Sequence, residues 1–112
     1  MKRLLALALV LAAAGAATVA IPALAATRTV KIGDNFFVRS SNHATVSVRR
    51  GTKVVWKWTG SAPHNVTVTS GPKRFHSRTQ SSGTFTAIPH TPGTYKIICT
   101  IHPGMAMTLK VR

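Results

Sequence analysis

The sequence predicts an all-β fold, a small antiparallel Greek-key sandwich of about seven strands. Three observations lead there. From Thr29 onward apolar and polar residues alternate with a period of two, the mark of half-buried strands. The breaks between alternating runs carry turn chemistry, in RRGTK, TGSAPH, TSGPK, QSSGT and HTPGTY. Gly and Pro at that spacing punctuate the short strands of sandwiches and barrels. After the first 25 residues no stretch shows helical periodicity.

The elements follow in order. Residues 1–25, MKRLLALALVLAAAGAATVAIPALA, read as an export signal: Lys2 and Arg3, an apolar run from Leu4, then the small-x-small triplet Ala23-Leu24-Ala25. An uncleaved anchor is the alternative, since Leu4 to Ala26 carries no charge and a bilayer takes about 20 apolar residues. Its second half is rich in Ala, Gly and Thr, which favours cleavage after Ala25. That leaves 26–112 as one exported domain of 87 residues, periplasmic or extracellular and expected to be a monomer. Within it Ala44, Val46 and Val48 alternate with Thr45, Ser47 and Arg49. Val54, Trp56 and Trp58 share one face of the next strand, then Val66 and Val68. Pro72 to Ser82 is polar and irregular, a loop crossing between sheets. Tyr95, Ile97 and Cys99 share a face, and Met107, Leu109 and Val111 close the pattern.

Charge is the compositional outlier. There are 15 Lys plus Arg against one acid, Asp34, for a formal charge of +14, or +12 without Lys2 and Arg3. Such a field draws the domain to anionic partners: an acidic redox protein, or an anionic lipid or polymer surface. A merely solubilising cationic surface is the plain alternative. The basic residues form no helix or aromatic-interleaved run, which argues against nucleic acid.

Cys99 is the only cysteine, so no internal disulfide can form. Small exported domains often depend on such staples. A metal would cap the thiolate and tie loops together instead. In CTIHPGMAM, Cys99 and His102 are followed by two methionines, Met105 and Met107, and SAPHNV upstream supplies His64. Two imidazoles, one thiolate and a weak thioether form the type 1 copper set: sulfur ligands suit Cu(I), and imidazole also accommodates Cu(II). Spacing alone leaves the choice of methionine open. His43, His76 and His90 fall in polar, turn-like segments and read as surface residues.

With these residues in view, the chain resembles the blue copper proteins, or cupredoxins, particularly plastocyanin and amicyanin. The matching pieces are VKIGDNFF, VSVRRGTKVVWKW, APHNV, PGTYKIICTIHPGM and MTLKV, in family order across nearly all of Thr29 to Arg112. The resemblance implies one copper ion and single-electron transfer, with the ring edge of His102 facing solvent; no enzyme is expected, since oxidase or nitrite reductase sites need further His clusters and domains. It favours Met105 as axial ligand, because Leu109 and Val111 then take the family's apolar positions in the last strand. Met107 becomes a core residue where the family usually has Gly. Asn65 resembles the residue whose side chain ties the two ligand loops and whose N–H donates to the cysteine sulfur. Trp56 stands where the family buries an aromatic. Other functions for the same residues are a copper carrier that delivers the ion, or a cationic binding module that keeps the fold without the metal.

Overall fold

The alternating runs become strands in the computed structural model, which describes residues 26–38 and 44–112. The expected export signal, 1–25, and His43 lie outside the described residues. Among the described residues there are eight strands: β1 Thr27–Gly33, β2 Phe36–Phe37, β3 Ala44–Val48, β4 Lys53–Trp58, β5 Thr67–Ser70, β6 Thr84–Ala87, β7 Gly93–Ile98 and β8 Ala106–Val111. They form two four-stranded sheets, in the orders β2-β1-β4-β6 and β3-β8-β7-β5. Two of the strands, Phe36–Phe37 and Thr84–Ala87, lie outside the alternating runs named from the sequence, and the first is too short to alternate.

The all-β sandwich agrees with the sequence reading, but its sheets are mixed. Hairpin neighbours such as β7 and β8 are antiparallel, pairing Tyr95 with Leu109 and Ile97 with Met107. In contrast, β1 runs parallel to β4, with Val30 opposite Trp56, and β3 runs parallel to β8, with Val46 opposite Leu109. Between β1 and β4 the chain passes through β3 of the other sheet, so no hairpin reverses its direction on return. The segment between β5 and β6 is irregular, as its composition predicts. It is pinned by isolated bridges from His64 to Gln80 and from Thr67 to His76.

The inward faces make the core. Val30, Ile32, Val54 and Trp56 from one sheet meet Tyr95, Ile97, Met107 and Leu109 from the other, each at most 2% exposed. Burying side chains of this size contributes about 1.5–3 kcal/mol apiece. Trp56 engages three neighbours at once: its ring packs on Phe75 and Phe85, and its Nε1–H donates to Met107 Sδ at 3.4 Å. Tyr95 is held at both ends, its ring buried and its hydroxyl donating to Thr91 O at 2.7 Å.

The strands separate two poles. At one, Arg28, Arg49, Arg50 and Arg112, all exposed, line a shared hollow, and Arg50 N–H donates to Arg112 O at 2.8 Å. At the other lie the β1–β2 turn, the β4–β5 loop and the β7–β8 loop, which carry Asp34, His64 and Cys99 with His102.

Truncating a sealed core residue tests this layout. Leu109→Ala is expected to cost about 2–5 kcal/mol, and Lys110→Ala on the opposite face within about 0.5 kcal/mol. Urea midpoints of the two variants measure the difference.

Candidate metal centre

β7 ends at Ile98 and delivers Cys99, 3% exposed, to the sandwich rim. The chain then turns back on itself. Met105 N–H donates to His102 O at 3.1 Å and Cys99 N–H to Met105 O at 3.0 Å, so the loop closes over the thiol before β8 begins. Gly104 occupies the left-handed region at φ 83°, which glycine adopts without steric cost.

His64 arrives from the β4–β5 loop and is fully buried. Its backbone exchanges two 3.0 Å hydrogen bonds with Gln80, which fix it against the irregular β5–β6 segment. The next residue couples the loops. Asn65 Nδ2 donates to Thr100 Oγ1 at 2.8 Å and to Thr79 Oγ1 at 3.0 Å, while its Oδ1 accepts from Thr100 N at 3.1 Å and Thr67 Oγ1 at 2.8 Å. The N–H donation from Asn65 to the Cys99 sulfur that the resemblance implies is not among the hydrogen bonds of the described residues; the sulfur's contact there is with His102.

The donors converge. His64 Nδ1 lies 3.1 Å from His102 Nδ1, and Cys99 Sγ lies 3.5 Å from the same His102 nitrogen. One donor atom from each of the three residues falls within 4.8 Å of the others. Metal–nitrogen and metal–sulfur bonds of about 2.0–2.3 Å put neighbouring donors about 3–4 Å apart, so a single ion fits among these side chains. The chemistry agrees, since imidazole and thiolate together select copper or zinc over hard cations. Both rings present Nδ1 inward. His64 is sealed, whereas His102 is half-buried, flanked by exposed Ile101, Pro103 and Gly104.

Both methionines are buried, Met105 at 3% and Met107 at 2%. His76 and His90 are exposed and stand apart from the cluster.

One site residue escaped the sequence reading. Asp34 Oδ1 lies 3.2 Å from His64 Nε2 and accepts from Ala62 N at 2.9 Å and Ser61 N at 3.1 Å; Oδ2 accepts from Ser61 N at 3.1 Å and Ser61 Oγ at 3.3 Å. Donors aimed at a carboxylate favour its charged form. The N–H groups of Ala62 and Ser61, then His64, hold Asp34 at about 2, below the ordinary value. A signal did exist in the sequence, since this is the only acid of the chain.

Comparison with known proteins agrees with this geometry. A family described as copper binding proteins, plastocyanin/azurin family, matches residues 26–112. The chain belongs to that family. Amicyanin-alpha of Methylorubrum extorquens is 39% identical over 64 residues, covering 54% of this chain and 54% of that protein, so the match spans about half the relative's length. Among solved structures, an oxidized amicyanin variant superposes with a TM-score of 0.65 at 22% identity, over 77% of this chain and 82% of its own. A purple cupredoxin from Nitrosopumilus maritimus gives 0.64 at 23% identity, over 76% and 99%. The copper-containing nitrite reductase of Thermus scotoductus SA-01 gives 0.65 at 23%, over 90% of this chain but 25% of that one. These structures share the cupredoxin sandwich.

Asn65→Ala is expected to destabilise the fold by about 1–3 kcal/mol, because it strips partners from Thr100 N–H and the hydroxyls of Thr67, Thr79 and Thr100 beside the clustered donors. Thermal unfolding without metal measures that loss, and the rate of metal release to a chelator is expected to rise with it.

Proposed function

We propose that this chain is a one-electron carrier acting outside the cytoplasm, with one copper ion in a type 1 site built by His64, Cys99, His102 and, axially, Met105. The observation that carries the reading is the convergence of two imidazole Nδ1 atoms and one cysteine sulfur in a pocket sealed on the His64 side and half-open at His102. When bound, copper supplies a centre that gains and loses one electron.

The residues have separate tasks. His64 and Cys99, both buried, hold ligand atoms out of water and in fixed loops. Little therefore has to reorganise around a change of charge. His102 joins the pocket to the surface, so its ring edge is the exit for the electron. Exposed Ile101, 46% accessible, with Pro103 and Gly104, gives that edge an apolar surround on which a partner can seat. Met105 is assigned the axial role because Met107 Sδ already accepts the Trp56 indole N–H, as a core residue does. Electron transfer rather than catalysis is assigned from the plastocyanin/azurin family to which the chain belongs and from its likeness to amicyanin-alpha. Its positive charge suits an acidic redox partner, and the export reading of residues 1–25 places the encounter in a periplasm or beyond the cell.

Adding Cu(II) to the purified protein is expected to give an intense blue band that Cys99→Ala abolishes. Absence of the band, or its survival in that variant, defeats the reading. Met105→Leu is expected to raise the reduction potential by on the order of 60 mV, a tenfold change in relative affinity for the two oxidation states. Met107→Leu leaves the potential in place and lowers stability by about 1–3 kcal/mol, because it orphans the buried indole N–H. Electron exchange with an acidic partner is expected to slow as salt shortens the range of the attraction, which stopped-flow rates at several ionic strengths measure.

A further inference from the structure

We propose that Asp34 is a positioning residue of the metal centre: it keeps the His64 ring proton on Nε2, leaves Nδ1 free to ligate, and biases bound copper towards its oxidised state. The proposal rests on the copper reading above and adds a control on its potential.

The placement begins with a tight hairpin. Gly33 pairs with Phe36, leaving only Asp34 and Asn35 to reverse the chain. Asn35 takes a left-handed conformation at φ 76°, which asparagine tolerates better than most residues. The turn projects Asp34 into the β4–β5 loop, where its carboxylate fills the space that a Cβ on Gly60 would occupy. Ser61 and Ala62 N–H groups clamp it, and the clamp aims Oδ1 at His64 Nε2, 3.2 Å away.

An ionised carboxylate only accepts hydrogen bonds. Across that contact the proton must therefore sit on Nε2, and a neutral ring then has its lone pair at Nδ1. That nitrogen is the one facing His102 Nδ1 at 3.1 Å. Hydrogen-bonded partners behind a ligating histidine fix its tautomer and raise its basicity. A negative charge behind the ligand also interacts more favourably with the more highly charged ion. No other side chain can supply that charge, because the sequence holds no second Asp or Glu. A loop tie alone would not need it: the Ser61 and Ala62 contacts could be met by a neutral acceptor.

The test compares charge, shape and loop contact. In the metal-free protein, ring nitrogen NMR shifts are expected to show His64 protonated at Nε2, with Asp34→Ala moving it to a mixture of tautomers. In the copper-loaded protein, Asp34→Asn is expected to raise the potential by tenfold in the relative affinity for Cu(I) over Cu(II), or 59 mV, with the blue band retained. Asp34→Glu should return most of that shift. Ser61→Ala, which removes one loop contact and no charge, should change the ratio less than threefold. A wild-type His64 protonated at Nδ1, an unchanged or lowered potential in Asp34→Asn, or equal shifts in Asp34→Asn and Ser61→Ala would overturn the proposal. If wild-type protein forms no blue site, the copper reading fails, while the tautomer measurement still decides what Asp34 does to His64.

Discussion

Keeping His64 beside Cys99 is the constraint on which the metal end depends. No disulfide holds these loops, and the contacts that do are few. Asn65 spans 35 positions to Thr100 with a hydrogen bond in each direction, while its remaining bonds reach Thr79 and Thr67. The backbone of His64 is paired to Gln80, so the long β5–β6 segment is a brace for the ligand as well as a crossover. A domain of this size has a modest core margin. Polar ties at the rim therefore matter to fold and site together.

Two neighbouring methionines differ in what their surroundings offer the sulfur. Met107 and Met105 sit two residues apart at nearly equal burial, yet Met107 Sδ is engaged by the Trp56 indole. Trp58, two positions along the same strand, makes the contrast: its Nε1 is buried with no hydrogen-bond partner among the described residues. An unpartnered buried donor costs about 1–3 kcal/mol. The Trp56–Met107 contact is thus a core polar bond of a weak kind, and it leaves that sulfur committed inside the sandwich.

Local patterns were legible and distant ones were not. Alternation placed Val54, Trp56 and Trp58 inward, and likewise Tyr95, Ile97 and Cys99, because a strand exposes its period directly in sequence. Cys99 and His102 announced themselves by spacing. His64 was found because its flanking Pro63 and Asn65 matched the family pattern. The parallel pairings of β1 with β4 and β3 with β8 left no mark, since turn residues report hairpins and nothing about strands that meet after a detour through the other sheet. Asp34 escaped for the same reason. It meets His64 across 30 positions, from the tip of a different hairpin, and only folding brings the two together. Trp56 and Met107 are 51 positions apart, so the bond that commits one methionine to the core was equally hidden.

The arginine pole has a consequence for the medium in which the fold is most comfortable. Arg28, Arg49, Arg50 and Arg112 gather at one end, while the one acidic side chain of the sequence is occupied at the other. Coulombic self-repulsion therefore opposes the folded state at that end, with no Asp or Glu there to offset it. Counterions in solution screen it instead. Shortening the Debye length from about 30 Å at 0.01 M to about 8 Å at physiological ionic strength relieves the repulsion. This domain is thus built to gain cohesion as its surroundings grow saltier, even as the same screening weakens its reach for a distant partner.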